Sequence, residues 1–381
     1  MYKYTHLIQE NTAPLGAKGI GIYNENGKRV GGFGLGRLAS ALKEQDRLYR
    51  FLAISDVHLE DYESKYPTAT ADFERALAFS ENHCDFTCIA GDLTNAGTDS
   101  ELTKCKSIIN SVAKNKPVYA SGGNHETARV EMTFDRLTPY TGKPMFYSLG
   151  INQNGVCVDS DVSKTPKAYD EHIDVFIMLS HYGKYQGDNI GWLSSEFVSV
   201  EELQWLYETL EANRNRRCFV FNHVFPYDDG VGDANHLYNG RYWRTQDGGV
   251  GQAFISLLKH YKNTILFHGH SHLRFHLQEV DKKANYSSEV GYRSVHIPSL
   301  AVPREDANGS TAHGSAIFVY EESEGYVVDV FENCIILNGR DFIDNDKDGH
   351  GIGIATYKID TTLQTIEANT FTDSTGTIKT Q

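Results

Sequence analysis

Five short apolar segments of this chain each end in residues that bind metal ions in proteins. The residues that follow them are Asp56-Val57-His58, Gly91-Asp92, Gly123-Asn124-His125-Glu126, Asn222-His223 and Gly269-His270-Ser271-His272. Short apolar runs bounded by turn residues are typical of buried strands. In open α/β sheets, ligands bind beyond the carboxyl ends of the strands. Side chains far apart in the sequence are therefore predicted to converge on one crevice.

The residue types in this set are those that suit divalent cations. They offer carboxylate oxygen, amide oxygen and imidazole nitrogen, and no thiolate is involved. Such donors favour hard or borderline ions such as Mn, Fe, Zn, Co or Ni. Residues two apart on an extended strand share a face, so Asp56 and His58 are expected to point together, as are His270 and His272. One such motif alone has little weight, but five motifs in this order predict a metal site.

The region from residue 48 to about residue 300 alternates strand-like and helical patterns. Strands are predicted at 49–54, 86–90, 118–121, 175–179, 218–221 and 264–267. A helix is predicted after Ser199, because Ser199 and Glu202 have capping-box spacing before a run of apolar residues with helical periodicity. The alternation favours an α/β domain.

The two ends of the chain differ from this region. Asn26-Gly27 lies between two strand-like runs and predicts a β-hairpin. Beyond residue 312, strands are predicted at 316–320, 326–331, 334–337 and 354–359. We therefore divide the chain into an N-terminal β-hairpin extension (1–45), a catalytic domain (46–312) and a C-terminal β-rich segment (313–381), which is expected to extend a sheet or form a small layer.

Composition argues against some classes of protein. The net charge of −14 argues against nucleic acid as a partner, since nucleic-acid-binding domains usually carry a basic face. The six cysteines form no CxxC pair and are expected to be free thiols. No run of about 18 apolar residues predicts a membrane span, and no signal peptide is visible at the N-terminus. The expected location is cytoplasmic or, through residues 1–45, virion-associated.

The ordered motifs DVH, GDLTN, GNHE, NHVFPY and GHSH resemble those of the calcineurin-like metallophosphoesterase superfamily, over about residues 50–300. GDLTN, HVFPY and IPSLAVPR are most similar to the branch of class III cyclic-nucleotide and glycerophosphodiester phosphodiesterases. The resemblance implies a four-layer α/β/β/α sandwich of two facing sheets flanked by helices. It also implies two divalent metal ions at one end of that sandwich.

The resemblance assigns a role to each motif residue. One ion would be held by Asp56, His58 and His272, the other by Asn124, His223 and His270, and both by Asp92. His125 would not be a ligand; it would lie beside the scissile phosphate as general acid or electrostatic stabiliser. His181 also follows a strand and competes with His223, which is preferred because the Val-Phe-Pro after it resembles the family's His-x-Pro pattern.

The implied activity is hydrolysis of a small phosphodiester or phosphomonoester by attack of a metal-bridging hydroxide, with the diester favoured. Two metal ions would stabilise both the attacking and the leaving oxygen. Substrate contacts are predicted for Asn95, Arg129, His181 and His236. Residues 230–244 are either a loop that overhangs the metals or a surface excursion, and Arg129 could instead pair with a helix carboxylate.

Other functions remain open at this stage. A DNA exonuclease of the same superfamily would share every ligand motif, although the acidic balance counts against it. A binding module that retains the metals without turnover is a second alternative. Residues 11–36 resemble segments at the start of some bacteriophage tail or baseplate proteins, which would suit virion attachment, whereas a β extension packed on the catalytic domain is the simpler interpretation. A homo-oligomer is also left open.

Overall fold

The computed structural model of the protein describes residues 6–12, 17–23, 29–34, 46–127, 135–159, 165–180, 198–224, 249–275, 286–287, 291–306, 316–343 and 352–380. Its strands are β1 (His6–Thr12), β2 (Ala17–Tyr23), β3 (Arg29–Gly34), β4 (Tyr49–Ile54), β5 (Phe86–Ala90), β6 (Val118–Ser121), β7 (Tyr147–Ile151), β8 (Cys157–Asp159), β9 (Asp174–Met178), β10 (Arg217–Phe221), β11 (Thr264–His268), β12 (Tyr286–Ser287), β13 (Arg293–His296), β14 (Arg304–Asp306), β15 (Ala316–Phe318), β16 (Glu324–Val330), β17 (Cys334–Asp341) and β18 (Ile352–Asp360). Its helices are α1 (Ala69–His83), α2 (Asp99–Val112), α3 (Asn124–Thr127), α4 (Thr138–Thr141), α5 (Val200–Ala212) and α6 (Val250–His260).

Two large sheets form the centre of the protein. The first has six strands in the order β18-β17-β16-β4-β5-β6, and the second has seven in the order β12-β13-β11-β10-β9-β7-β8. Strands β4, β5 and β6 are parallel, as are β9, β10, β11 and β13. Parallel strands need crossover connections, which α1, α2, α5 and α6 supply.

Successive side chains along a strand point to opposite faces of its sheet and so belong to different hydrophobic cores. On β4, Phe51 contributes to the core between the two sheets, whereas Leu52 faces α1 and α2. On β9, Phe176 enters the same central core and Val175 packs with α5 and α6. The rings of Phe51 and Phe176 meet edge to face, with centroids 5.1 Å apart. These three cores give the layer order α/β/β/α and confirm the predicted fold class.

The helix predicted after Ser199 is α5. The Ser199 hydroxyl accepts a hydrogen bond from the Glu202 N–H at 3.0 Å, as an N-cap residue does. The predicted strands of the central region are present, with ends that agree to within one residue.

The C-terminal strands extend the first sheet. β16 pairs antiparallel with β4, and β17 and β18 follow it outwards. At the other end of the chain, β2 and β3 form the predicted antiparallel hairpin, and β1 adds a third strand to it. The domain boundaries at residues 45 and 312 stay predictions.

Among the helices that the structure describes, none has the length and apolar character that a membrane crossing requires.

Candidate metal centre

The predicted ligands meet where the carboxyl ends of β4, β5, β6, β10 and β11 come together. The loop after β4 is bonded to the loop after β5: the Val57 and His58 N–H groups both donate to the Asp92 carbonyl, at 2.8 and 3.0 Å. The Gly269 N–H donates to the His223 carbonyl at 3.0 Å and so joins the loops after β11 and β10. Backbone hydrogen bonds therefore set the spacing of the side chains above them.

The first group of candidate ligands is Asp56, His58, Asp92 and His272. All four are buried, and each offers a donor atom within 4.8 Å of the others. His272 Nε2 lies 2.9 Å from Asp56 Oδ1 and 2.9 Å from His58 Nε2. These atoms can converge on one ion without a change in the backbone.

The second group is Asp92, His223 and His270. His223 Nε2 lies 2.9 Å from Asp92 Oδ2 and 3.3 Å from His270 Nδ1. Asp92 belongs to both groups, so one carboxylate can join two ions. Its other oxygen, Oδ1, accepts the His125 N–H at 2.9 Å, which leaves Oδ2 directed at the ligands. Asn124 starts α3 beside this group and is buried.

The orientation of two imidazoles fits a cation. His272 Nδ1 is 3.3 Å from the Val302 carbonyl and His223 Nδ1 is 2.7 Å from the Ala90 carbonyl, so each Nδ1 must carry the proton. In the neutral tautomer, each Nε2 then directs a lone pair at a carboxylate oxygen 2.9 Å away. At that distance the lone pair of the nitrogen and the lone pair of the oxygen repel each other unless a metal ion or a proton lies between the two atoms. This pattern of Nδ1–H bonded to a carbonyl is common for metal-binding histidines.

Burial and charge act on the same groups in opposite directions. Burial lowers the pKa of His223, but the carboxylates of Asp92 and Asp56 prevail and raise it to about 9. Burial also disfavours the ionised form of Asp92, yet His223, His125 and His58 hold the pKa of that carboxyl well below its usual range. In this buried, negatively charged pocket, protons and metal ions compete for the same nitrogen atoms.

The backbone at the ligands is strained. Asp56, His58, Asp92, His270 and His272 all have positive φ, between 49° and 75°. Of the described non-glycine residues, only two others have positive φ. Such conformations cost about 1–3 kcal/mol each and cluster at functional sites. Five of the seven residues that the sequence marks as ligands thus have a strained backbone.

Glycines make room for the ligands. A Cβ on Gly123 would lie 2.1 Å from Asp92 Oδ1, and one on Gly269 would lie 2.4 Å from Asp56 Oδ2. Gly91 has a φ of 81°, and a Cβ on it would lie 2.6 Å from the His223 Cβ. Each of the motifs GD, GNHE and GHSH therefore needs its glycine for the carboxylate or imidazole that packs against it.

His125 lies at the edge of the cluster and outside both ligand groups. Its Nδ1 is 2.6 Å from the Asn95 carbonyl, so Nδ1 is the protonated nitrogen and Nε2 faces the site, 3.9 Å from Asp92 Oδ2. Burial lowers the pKa of His125 to about 4, although Asp92 opposes the shift. An anionic group next to Nε2 would favour the protonated ring.

Glu126 connects two of the ligand loops through its carboxylate. Its carboxylate accepts the Thr94 N–H and hydroxyl, both at 2.9 Å, and the Gly123 N–H at 2.6 Å. It therefore holds the loop of Asp92 against the loop of Asn124. Glutamate three residues after Gly123 is the only signal in the sequence that could have suggested this bond.

The structure describes one of the four residues predicted to contact substrate, Asn95. The Asn95 amide donates to Glu60 Oε1 at 2.8 Å, and the Asn95 carbonyl orients His125, so this residue is placed beside the cluster. Arg129, His181, His236 and the 230–244 loop lie outside the described residues. Their predicted contacts with substrate stay predictions.

Comparison with known proteins identifies the family of the chain. The family model for the calcineurin-like phosphoesterases matches residues 49–274, and the chain belongs to this family. The resemblance seen in the motifs is thereby confirmed at the level of the family, whereas its branch stays a prediction. A search of curated proteins gave no match.

Solved structures similar to the chain share little sequence with it. GAP50, the anchor in the inner membrane complex of Plasmodium, is 12% identical with a TM-score of 0.47, over 84% of this chain and 90% of that one. PhoD is 12% identical with a TM-score of 0.44, over 93% and 78%. Vps29 from Chaetomium thermophilum is 12% identical with a TM-score of 0.32, over 83% and 98%.

Proposed function

We propose that this calcineurin-like phosphoesterase hydrolyses a small phosphodiester or phosphomonoester with two divalent ions. One ion would be held by Asp56, His58 and His272, and the other by Asn124, His223 and His270. Asp92 would bind both. We take the diester as the preferred substrate, because GDLTN, HVFPY and IPSLAVPR resemble the phosphodiesterase branch of the family.

The observation that carries the proposal is the pair of imidazole nitrogens that face carboxylate oxygens. His272 Nε2 and His223 Nε2 each lie 2.9 Å from such an oxygen, while their Nδ1 atoms are bonded to carbonyls. Ions bound here would neutralise the phosphoryl oxygens and make a bound water acidic near neutral pH. Asp92 and Asp56 supply the negative charge that attracts the ions.

In the proposed reaction, His125, Asn95 and Asp92 have different roles. His125 would protonate the leaving oxygen or stabilise its charge through Nε2, while the Asn95 carbonyl fixes the ring by its bond to Nδ1. General acid catalysis of this kind contributes about 10²–10⁴-fold. Asp92 Oδ1 holds the His125 backbone at 2.9 Å, so the group that binds the ions also positions the acid.

The test is an assay of bis(p-nitrophenyl) phosphate beside p-nitrophenyl phosphate, with the protein stripped of metal and reloaded with manganese. We expect hydrolysis that chelator abolishes and that His125→Ala reduces by about 10²-fold or more, with metal content unchanged. His83→Ala, at the opposite end of the sheets, is the matched control and should behave as wild type. Full activity of His125→Ala would remove the proposed role.

The same experiment separates the alternatives. Two bound metals with no turnover of either ester would favour the metal-binding module. Cleavage of duplex or single-stranded DNA with an affinity that falls steeply with salt would favour the exonuclease, since phosphate contacts release counterions. The ratio of rates on the two p-nitrophenyl esters decides between diester and monoester.

A further inference from the structure

The carbonyl that orients His125 belongs to a peptide group that is hydrogen-bonded on both sides. The Asn95 carbonyl accepts the proton on His125 Nδ1 at 2.6 Å. The N–H of the same peptide group, which belongs to Ala96, donates to Glu101 Oε2 at 2.9 Å. The oxygen and the hydrogen of a trans peptide group point in opposite directions. The His125 imidazole and the Glu101 carboxylate therefore lie at opposite edges of one peptide group.

This contact of Glu101 goes beyond its part in a helix cap. Glu101 lies in the first turn of α2 and is only 5% exposed. In the capping box, its N–H donates to the Thr98 hydroxyl at 3.2 Å, and its Oε2 accepts the Thr98 N–H at 3.3 Å. A capping box needs only these two bonds. The shorter bond from the Ala96 N–H is additional, and it connects α2 to the edge of the candidate metal centre.

The other polar groups of Asn95 are bonded to the loop after β4. Its N–H donates to the Leu59 carbonyl at 2.9 Å, and its side-chain amide donates to Glu60 Oε1 at 2.8 Å. These bonds hold the peptide group before Asn95 and its side chain, whereas Glu101 is bonded to the peptide group that follows. The orientation of the carbonyl that faces His125 is therefore coupled most directly to Glu101.

The tautomer and the tilt of the His125 ring decide which atom faces the site. Nδ1 carries the proton that is bonded to the Asn95 carbonyl, and Nε2 lies 3.9 Å from Asp92 Oδ2. The ring also meets the His58 imidazole edge to face, with centroids 4.6 Å apart. A turned ring would lose the bond to Asn95 and would present a different atom to a molecule bound over the metal centre.

We propose that Glu101 is a positioning residue for His125 and acts through the Asn95–Ala96 peptide group. The inference rests on the proposed function, in which His125 acts on the leaving oxygen. A carboxylate bonded to the N–H of a peptide group polarises that group, so its carbonyl becomes a stronger acceptor. The Asn95 carbonyl then holds the His125 proton on Nδ1 and leaves Nε2 for the substrate. In a Ser-His-Asp triad the carboxylate bonds to the imidazole directly, whereas here one peptide group lies between them.

The first test compares two leaving groups. Phenolate is a stronger base than p-nitrophenolate, so diphenyl phosphate depends more on His125 than bis(p-nitrophenyl) phosphate does. In manganese-loaded Glu101→Ala, kcat for diphenyl phosphate should fall by about 10-fold or more, since a slightly misplaced catalytic group can cost up to about 10²-fold. The loss on bis(p-nitrophenyl) phosphate should be much smaller, with metal content unchanged. Glu101→Gln should recover most of the rate, because its amide oxygen can still accept the Ala96 N–H.

Thr98→Ala is the matched control for the helix cap. It removes the other side chain of the capping box and keeps the Glu101 carboxylate, so the ratio of the two rates should stay that of wild type. If Glu101→Ala does not fold, Glu101→Asp replaces it, because its carboxylate is one methylene shorter and should lose the Ala96 N–H. A wild-type ratio in the Glu101 variant, whatever the total loss of rate, overturns the proposal.

Histidine NMR separates a failure of this inference from a failure of the proposed reaction. If neither ester is hydrolysed, or if His125→Ala does not alter the ratio of the rates, the proposed reaction fails. Spectra of ¹⁵N-histidine-labelled protein loaded with diamagnetic zinc still test the bond, and the signals that His125→Ala lacks identify the ring. We expect the Nδ1–H tautomer in wild type, Glu101→Gln and Thr98→Ala, and a mixture of tautomers in Glu101→Ala. The Nδ1–H tautomer alone in Glu101→Ala would overturn the proposal.

Discussion

Gly123 approaches Asp92 so closely that a Cβ on the glycine would lie 2.1 Å from the carboxylate Oδ1. That oxygen accepts the His125 N–H, and the Asp92 backbone nitrogen would be only 2.4 Å from the same Cβ. The Asp92 carboxylate and the loop that carries Asn124 therefore fit together only without a side chain at residue 123.

Gly123→Ala should consequently displace Asp92 and weaken metal binding. We expect a loss of free energy of unfolding of about 1–3 kcal/mol from overpacking, together with reduced metal content measured by mass spectrometry. Gly142→Ala is the matched control: its φ is 72° and nothing lies within 4 Å of the added Cβ, so it should cost only about 1 kcal/mol of backbone strain and retain metal. Normal metal content in Gly123→Ala would contradict the steric explanation.

Asp92→Asn tests whether one carboxylate serves both ions. Ligands that bind only the folded state stabilise it in proportion to their affinity, so manganese should raise the melting temperature of the wild-type protein. The variant should lose most of that increase and bind less of both ions, because Asp92 belongs to both ligand groups. Loss of a single ion per protein would limit Asp92 to one site.

Glu126→Ala tests the link between the loops of Asp92 and Asn124. The change leaves the buried donors of Thr94 and Gly123 without their acceptor, so the free energy of unfolding should fall by about 3 kcal/mol. Denaturant unfolding of the variant and of Glu74→Ala, an exposed glutamate on α1, measures the difference. A loss no larger than that of Glu74→Ala would show that water replaces the carboxylate.

Asp72 should make stability depend on pH. Burial raises the pKa of this α1 residue to about 7, although Thr68 and Arg75 lower it, whereas an unfolded chain loses the proton near pH 4. The native state then holds more protons between these values, so its contribution to stability is complete below about pH 4 and is lost as the pH rises through about 7.

Asp72→Asn removes this dependence. Relative to wild type, the variant should gain about 1 kcal/mol or more of unfolding free energy at pH 8, and much less at pH 4. Melting temperatures at both pH values, with exposed Asp61→Asn as control, measure the change. A constant difference between Asp72→Asn and wild type across the pH range would be inconsistent with a raised pKa.

Local patterns in the sequence predicted the strands that end at the candidate ligands. The bounds of β4, β5 and β6 agree with those predicted, since each is a continuous apolar run that ends in a polar turn. The motifs at their ends came together because parallel strands bring their carboxyl ends to one edge. The capping box of Thr98 and Glu101 at the start of α2 was missed, although it has the same spacing as that recognised at Ser199.

Contacts between distant segments were not predictable from local patterns. The stacking of Tyr66 on His58 and the path of residues 300–304 along Asp56 and His272 depend on tertiary packing. The sequence also left undecided whether the C-terminal strands extend a sheet or form a separate layer. Alternation of apolar and polar residues shows which side chains of a strand face the core. Which strand it pairs with depends on the whole fold.

The pairing of β16 with β4 has a consequence for synthesis of the chain. β4, which carries Asp56 and His58 at its end, lies between β5 and a strand that begins only at Glu324. On the ribosome, one edge of β4 therefore stays unpaired until the strand that ends at Val330 has emerged. Unpaired strand edges invite association between chains, so premature termination before this strand is expected to give aggregated rather than shortened, metal-binding protein.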